Sequence, residues 1–470
     1  MGEWIITDRG YRDRSGGART KFSQGSMGHA TMVMDIDDGF MLDEAFPTPG
    51  HEQVKRTGGR IERFLSSDVL DYVRGQAAPA YNTDEMTVLN DFSRTIFYLK
   101  PHVFVMVDDI RAPEPHSYNV LLQAGPQSVC KQVEGNGWTI EGGKSQLHCW
   151  FTGSQPLETG AQAYPGAESY GEFLRAYTQR LPEARIISVL QPAAFGTGSL
   201  VRNTGFESGM QGWTPRANED LPNHVIDAEV KRSGEFSGRI DHSGYYYSPK
   251  VKVDPGTELH TEAWLRTANT TTGGGYLAIH FFGPDKCFKT ITTERGTPED
   301  WTHLQLDTVA PEGTQTACIG LYYSGDGSGW FDDATFEIAS GMEVVEPTPR
   351  ATVEPIEGGA RGVLVDVDGE RVALVTAGGP VVVGENHVVE HDGEFAVVSL
   401  GDPWRYVYLQ EGTRLSINGQ PTLSITPGAP LTAVARRDAD GQIRLHAQDS
   451  LIPHTEPLAD AEARVTVGGG

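Results

Sequence analysis

The chain has few cysteines, and no two of them have the spacing of a thiolate metal site. The four are Cys130, Cys149, Cys287 and Cys318. The absence of a Cys-x-x-Cys pair argues against a thiolate zinc site and against a dithiol redox motif. Disulfides stay open at this point, because four cysteines allow three pairings and the sequence alone does not choose among them.

The sequence also lacks long apolar runs. None approaches the length of a membrane span, and no long stretch places apolar residues at helical spacing. Instead, 56 glycines and 28 prolines separate short alternating segments, a pattern typical of β architecture with many turns. A chain of 470 residues has room for roughly two to four domains. The sequence therefore predicts an all-β, multidomain protein, with one short helix around residues 170–176.

Positive charge is scarce. The net charge is −25, and only 10 of the 38 basic residues are lysine. Nucleic-acid binding draws its affinity from clusters of basic residues, and none is visible, so the sequence argues against a nucleic-acid partner. The balance predicts a solvated acidic surface. The opening Met-Gly-Glu-Trp does not resemble a signal peptide, so we expect any export signal to lie outside this chain.

The first forty residues contain two short strand-like segments with metal-binding side chains at their ends. The first is WIITDRGY over residues 4–11, and the second is GHATMVMD over residues 28–35. The second segment predicts a strand from Ala30 to Asp37. Asp8 ends one strand and His29 begins the next, so the two side chains can converge on a metal ion such as zinc. Two ligands do not complete such a site. The alternative is an aspartate that caps a turn and a histidine bonded to backbone.

This order of motifs resembles the β-sandwich half of the heparinase II/III-like polysaccharide lyases. The similarity continues through residues 71–75 (DYVRG), 92–95 (FSRT) and 103–109 (VFVMVDD) to His116. The resemblance implies that Asp8 and His29 are zinc ligands and that Tyr11 is a candidate catalytic neighbour of the cleft. It also implies an extracellular or periplasmic location.

The family's chemistry is β-elimination, in which a base removes the proton next to a uronate carboxylate and an acid assists departure of the C4 oxygen. In the family, a further zinc ligand, a catalytic histidine and a helical toroid with the catalytic tyrosine lie upstream of the matched motifs. This chain has no counterpart of them. We therefore expect the chain to be inactive by itself and a helical catalytic domain, where there is turnover, to be supplied separately.

Residues 201–340 are predicted to form a second unit, after a linker of small residues near 191–198. It opens on NTGFE at 203–207 and closes on WFDD at 330–333. This pair of motifs resembles the jelly-roll carbohydrate-binding modules attached to glycan-degrading enzymes. The resemblance implies a structural calcium held by Glu207 and Asp333, and calcium does prefer such oxygen ligands. Two exposed carboxylates without a metal are the alternative.

Sugar recognition needs flat aromatic faces that stack on pyranose rings. Five aromatic residues of this unit are the candidates: Tyr245, Tyr246, Tyr247, Trp264 and Tyr276. Neighbouring side chains of a strand point to opposite faces, so at least one of the three consecutive tyrosines should face solvent.

Residues 352–470 return to strands joined by Asp-Gly and Asn-Gly turns at 368, 392 and 418, which favour hairpins. In the lyase family the sandwich continues from a strand ending in proline into a Gly-Ala-x-Gly-Val strand, and residues 359–366 match that continuation. We therefore predict a discontinuous antiparallel β-sandwich of residues 1–198 and 352–470, the second part being its continuation or a separate β domain. The jelly roll at 201–340 is predicted to be inserted between them.

Three functions follow from these patterns. The first is a lyase-type protein that acts on or binds a uronate-containing polysaccharide. The second is a non-catalytic glycan-binding or assembly protein, and the third is a structural sandwich without metal or sugar. A lyase forms an unsaturated product that absorbs ultraviolet light, whereas a binder is retarded in a glycan-loaded gel without forming product.

Overall fold

The computed structural model of the chain describes residues 6, 17–39, 47–54, 58–125, 128–142, 145–167, 170–194, 199–201, 203–207, 209–210, 212–217, 223–284, 286–338, 350–401, 403–426, 431–438, 440–449 and 465–468. Within them the chain is almost entirely β, with antiparallel strand pairing. The all-β antiparallel prediction is confirmed. The two α-helices of this part of the chain, Gly17–Gln24 and Ala78–Tyr81, lack the length and apolarity of a membrane span.

The first part of the chain forms two sheets. The four-stranded sheet has the order β1-β6-β11-β10, with β1 Met32–Met34, β6 Tyr118–Gln123, β10 Glu158–Ala163 and β11 Glu172–Tyr177. The eight-stranded sheet has the order β2-β3-β4-β5-β12-β9-β8-β7, with β2 Arg60–Ser66, β3 Leu70–Gln76, β4 Asp91–Leu99, β5 Val103–His116, β7 Val129–Gln132, β8 Gly137–Glu141, β9 Ser145–Gly153 and β12 Leu181–Ala194.

Two local predictions differ from the structure. The helix expected around residues 170–176 is strand β11, whose hydrogen bonds pair it with both β6 and β10. The strand expected from residue 30 to 37 is only three residues long. It ends because Asp35 adopts a left-handed conformation (φ 52°) and the 3₁₀ turn Ile36–Asp38 follows.

The last part of the chain forms a ten-stranded sheet that begins in the order β22-β23-β24-β25-β26-β29-β30. Its strands are β22 Thr352–Ile356, β23 Gly362–Val367, β24 Glu370–Val383, β25 His387–Leu400, β26 Tyr406–Gly412, β27 Arg414–Ile417, β28 Gln420–Ile425, β29 Leu431–Arg437, β30 Ile443–Asp449 and β31 Val465–Val467. The predicted turns at 368 and 418 join β23 to β24 and β27 to β28. Residue 392 instead lies within the long strand β25.

The eight-stranded sheet is covered on both faces. On one face Met106 and Ile186 pack with Val120 of the four-stranded sheet. On the other face Val107 and Ile187, one position along each strand, pack in a core that includes residues of the ten-stranded sheet. The first and last parts of the chain therefore share one hydrophobic core.

The middle of the chain forms nine strands: β13 Thr214–Ala217, β14 His224–Asp227, β15 Ser237–Tyr247, β16 Val251–Lys252, β17 Glu258–Ala268, β18 Gly273–Phe282, β19 Cys287–Thr292, β20 Thr302–Val309 and β21 Thr316–Ile338. The first half of β21 pairs with β18 and its second half with β17, while β15 pairs with both halves. In the described residues, the core between these strands draws only on residues 200–338. The four cysteines of the chain are thiols.

Candidate functional site

Of the two predicted zinc ligands, the structure describes only His29. Asp8 and Tyr11 lie outside the described residues. His29 follows the 3₁₀ turn Ser26–Gly28, and its backbone carbonyl accepts a hydrogen bond from Gln123 Nε2 at 3.3 Å. In the described part of the chain, no three His, Cys, Asp or Glu side chains are arranged as a ready-made metal cluster. The zinc site therefore stays a prediction.

The consecutive tyrosines of β15 point to opposite faces, as the alternation rule predicts. Tyr246 is fully buried in the core, and its hydroxyl donates to the Arg239 carbonyl at 2.9 Å. The prediction that Tyr246 binds sugar is wrong, because a ring inside the core presents no face to a ligand. Tyr245 and Tyr247 lie half-buried on the opposite, outer face.

Three tyrosines from three neighbouring strands form a row on that outer face. Tyr322 of β21 lies opposite Tyr245 of β15 and opposite Tyr276 of β18 in the strand register. The rings of Tyr276 and Tyr322 are parallel to within 2°, with centroids 4.9 Å apart, and those of Tyr322 and Tyr245 are 4.8 Å apart. We call Tyr245, Tyr322 and Tyr276 the tyrosine row.

Two small residues, Gly320 and Ala278, lie beside the tyrosine row. Gly320 lies opposite Tyr247 on one side and Ala278 on the other. A Cβ atom at Gly320 would lie 2.6 Å from Cε2 of Tyr322 and 2.9 Å from Cε1 of Tyr247. Glycine is required here for space, because the two rings lie over its backbone.

A chain of hydrogen bonds fixes the rings from one side. The hydroxyl of Tyr322 contacts the Tyr247 hydroxyl and lies 3.0 Å from Nε2 of His280, whose Nδ1 lies 2.8 Å from Oγ1 of Thr290. Burial lowers the pKa of His280 to about 4 and raises the pKa of Tyr322 far above its usual value. At neutral pH the imidazole is therefore neutral and the phenol keeps its proton. Such a hydrogen-bond network positions aromatic rings. It is poorly suited to acid–base catalysis, which needs pKa values near the working pH.

Three cations surround this face. The guanidinium of Arg295 lies 5.1 Å from the Tyr276 ring centroid, and Nζ of Lys250 lies 3.8 Å from that of Phe282. Arg216 lies opposite Tyr245 in the strand register. In the described ranges, none of these three cations takes part in an ion pair with a carboxylate. These three side chains place positive charge near the tyrosine row on a chain of net charge −25.

Trp264 lies apart from the tyrosine row. It belongs to β17, opposite His303 of β20. Its ring contacts the Arg232 guanidinium, 3.8 Å from the centroid, and the His303 ring at 5.0 Å. The structure thus brings Tyr276 together with Tyr245 and Tyr247 but separates Trp264 from them.

The two predicted calcium ligands lie beside a third carboxylate that the sequence did not single out. A Cβ atom built on Gly205 would lie 3.3 Å from Asp332 Oδ1, 3.6 Å from Asp333 Oδ1 and 3.6 Å from Glu207 Oε1. The three carboxylates thus lie near one another around Gly205, without the arrangement of a ready-made metal cluster in the described residues. Each has hydrogen bonds of its own: Glu207 accepts the Glu235 N–H at 2.9 Å.

Asp332 is the most buried of the three carboxylates. It is 0% exposed and accepts the backbone N–H of Arg232 at 2.8 Å and of Ser233 at 3.2 Å. Burial, with the charge of Asp333 adding to it, raises the pKa of Asp332 to about 6. Asp333 itself has a left-handed backbone (φ 47°) and contacts the Arg232 guanidinium. This concentration of acidic oxygens has the chemistry that calcium prefers.

Parts of this chain are similar to nearly the whole of one small solved structure and to parts of two larger ones. No protein-family model matches the chain, and no curated protein matches it in sequence. A bacteriophage CBA120 tailspike protein 4 domain is 14% identical over 30% of this chain and 21% of its own, with a TM-score of 0.26. A family 16 carbohydrate-binding module is 19% identical over 29% and 97%, with a TM-score of 0.24. A heparinase III is 11% identical over 50% and 32%, with a TM-score of 0.32. The match thus spans about a fifth of the tailspike domain and a third of the heparinase.

Proposed function

We propose that this chain binds an acidic, uronate-containing polysaccharide on the tyrosine row. The observation that supports this most directly is a row of three half-buried rings beside three cations that form no ion pair with a carboxylate in the part of the chain that the structure describes. Pyranose rings present apolar C–H faces that stack on flat aromatic rings. Carboxylates along an acidic polymer would pair with Arg216, Arg295 and Lys250. A neutral glycan would use the rings and leave the cations unused.

Binding is better supported here than β-elimination. Elimination needs a base and an acid whose pKa values suit neutral pH. The pKa values of all three titratable groups hydrogen-bonded around Tyr322, namely His280, Tyr322 and Tyr247, are shifted away from neutral pH. Asp8 and Tyr11, which the lyase resemblance implicates, would take part only with residues from a separate catalytic domain. The proposal therefore places this chain as the glycan-holding part of polysaccharide-processing machinery outside the cytoplasm.

Two metals belong to the proposal. Calcium would be held at Gly205 by Glu207, Asp332 and Asp333, where it would neutralise crowded carboxylates and join the first turn of the middle unit to its last strand. Zinc would be held by Asp8 and His29, with further ligands from water or a partner domain.

Affinity electrophoresis in gels that contain a polymer tests this proposal. We expect retardation by polyuronates such as alginate or polygalacturonate and weaker retardation by the same polymers after their carboxyl groups are reduced. Each stacked ring contributes about 1 kcal/mol, so Tyr276→Ala and Tyr245→Ala should each weaken retention roughly five-fold. Tyr98→Ala is the matched control, since Tyr98 is a half-buried tyrosine on the eight-stranded sheet.

A separate variant tests the contribution of the cations to binding. Arg295→Gln should weaken retention by the polyuronate and leave retention by its carboxyl-reduced form unchanged, and added salt should weaken only the former. Equal retention of both polymers, unchanged by Arg295→Gln, would show that the ligand is a neutral glycan. Absence of retention by every polymer in the panel would reject the tyrosine row as a glycan site.

A further inference from the structure

A cavity of about 420 Å³ lies at one end of the eight-stranded sheet. Its lining residues belong to the first and last parts of the chain, whereas the tyrosine row belongs to the middle unit. The sheet face that forms its floor carries Val107 and Ile187 where the ten-stranded sheet covers it. Two residues further along β5, in the direction away from that cover, the same face carries Asp109. The face therefore changes from apolar to charged where the two sheets separate, and we call this opening the sheet-end cavity.

The floor of the sheet-end cavity is organised by cross-strand pairs. Asp109 lies opposite Ser93 on β4 and opposite Arg185 on β12. Arg185 Nε donates to Asp109 Oδ1 at 2.6 Å. Ser93 is almost completely buried, and its hydroxyl accepts a weak hydrogen bond from Arg74 at 3.4 Å.

A second row of charges lies one step nearer the opening. Arg111 lies opposite Asp91 and opposite Glu183. It pairs with Asp91 at 3.0 Å, whereas Glu183 forms no ion pair with any residue that the structure describes. One carboxylate at the rim is therefore available to a ligand.

The wall opposite the floor comes from β25 and is held rigidly. Glu394 accepts from Arg74 at 2.6 Å and from the fully buried Gln410 at 2.8 Å, and Arg63 lies 3.5 Å from it. Side chains fixed in this way need little reorganisation when a ligand binds, which favours affinity.

The charges of this cavity select a class of ligand. Each lining arginine already has a carboxylate partner, and Glu183 is an additional negative charge, so an anion would meet repulsion. Paired guanidinium groups keep N–H donors, and paired carboxylates keep acceptor lone pairs. Adjacent hydroxyl groups can use both at once, each accepting from an arginine and donating to a carboxylate. The volume lies within the range of small-ligand pockets, roughly 300 to 1,000 Å³.

We propose that the sheet-end cavity binds a neutral sugar ring, such as an uncharged residue or chain end of a glycan. Its ligand differs in charge from that of the tyrosine row, so the two sites discriminate between parts of a mixed polymer. The inference does not depend on the proposed function, because it rests on other residues and another ligand.

Saturation-transfer NMR on the full chain tests this second site with glucose, galactose, mannose and glucuronic acid as probes. We expect transfer to at least one neutral hexose and, in the Tyr322→Ala variant that lacks the central ring of the tyrosine row, none to glucuronic acid. Glu183→Gln should weaken the hexose affinity roughly ten-fold, the effect typical of losing a hydrogen bond to a charged group. Glu114→Gln on the same strand β5 is the matched control, since Glu114 is exposed and does not line the cavity.

The two sites are separated by reciprocal variants. Tyr322→Ala should leave the hexose signal unchanged, and Glu183→Gln should leave polyuronate retention unchanged. Transfer to none of the neutral hexoses, a preference for glucuronic acid in the Tyr322→Ala variant, or a hexose signal that Glu183→Gln does not change would overturn the inference. Loss of the signal in Tyr322→Ala would place the hexose on the tyrosine row instead.

Discussion

Tyr322 has two roles that a single substitution can separate. Its ring lies in the middle of the tyrosine row, and its hydroxyl joins Tyr247 to His280. We expect Tyr322→Phe to keep the stacking face and lower polyuronate retention less than three-fold, since it removes only hydrogen bonds. Tyr322→Ala removes the face and should lower retention roughly ten-fold, since it also unlocks both neighbours. Equal effects of the two variants in affinity electrophoresis would mean that the hydroxyl, not the ring, binds the glycan.

Asp332 makes a prediction about pH. Its pKa in the folded chain is about 6, raised from 3.8, so the stability that its protonated form contributes is fully present below about pH 4. That stability is lost as the pH rises through 6. Without calcium, Asp332→Asn should therefore gain about 1 to 3 kcal/mol of unfolding free energy relative to the parent between pH 4 and pH 7.

Thermal unfolding with and without calcium completes that test. At pH 7 calcium should raise the melting temperature of the parent, and at pH 4 it should not, because the protonated carboxyl binds it poorly. Glu229→Gln is an exposed acidic control in the same unit. A calcium response equal in the parent and in Asp332→Asn would remove Asp332 from the site.

At the scale of single residues, the sequence predicts some residues of the candidate sites and misses others. Alternation along β15 predicts that neighbouring tyrosines face opposite ways, but the sequence does not say which face is the core. Tyr246 was assigned wrongly for that reason. Tyr322 and His280 join the site through the register between β15, β21 and β18, which depends on pairing between segments far apart in the chain. Asp332 is adjacent to the recognised Asp333, and only its burial distinguishes it.

At the scale of elements, the site depends on three strands that meet without a bulky side chain between their rings. Gly320 of β21 provides that space, and a Cβ there would overlap Tyr322 and Tyr247. We expect Gly320→Ala to displace both rings and to weaken polyuronate retention at least five-fold while the chain stays folded. Gly283→Ala is the control, since a Cβ there meets nothing closer than 3.7 Å. Unchanged retention in Gly320→Ala would mean that the ring positions are not needed for binding.

Strand β11 shows why local pattern misassigns some elements. Residues 170–176 predict a short helix when taken alone, yet the structure pairs β11 with strands on both sides. Seven residues cannot form a stable helix without tertiary support, whereas hydrogen bonds to two neighbours satisfy the backbone of a central strand. The hairpin of β4 and β5 needs no distant partner, because residues 100–102 join its two strands directly.

At the scale of the whole molecule, the pattern of cores makes a prediction about the middle unit. Its core draws on residues 200–338, whereas the first and last parts of the chain share another. We expect deletion of residues 201–340, bridged by a short Gly-Ser linker, to leave a soluble remainder that unfolds cooperatively in calorimetry. Residues 1–198 alone should fold poorly, because the face with Val107 and Ile187 would lose its cover. Good folding of 1–198 together with an unfolded remainder would reject the insertion.

The next prediction concerns lyase activity of the whole chain. We expect no increase in ultraviolet absorbance when the chain is incubated with alginate, heparan-type or hyaluronan-type polymers, with or without zinc. The titratable groups around Tyr322 have pKa values shifted away from neutral pH, and two ligands hold zinc weakly. Turnover that disappears in His29→Ala would contradict this expectation and assign a catalytic role to the first forty residues.

The shared core of the eight-stranded and ten-stranded sheets also has a consequence for synthesis. The face with Val105, Val107 and Val189 is complete once the ribosome has passed β12, but Val397, Tyr408 and Val434, which join it in that core, come from the far side of the middle unit. At about 5 to 20 residues per second, the face waits roughly 12 to 50 seconds for its cover. During that interval the nascent chain presents an apolar sheet surface, which makes it a natural client for a chaperone until its last quarter emerges.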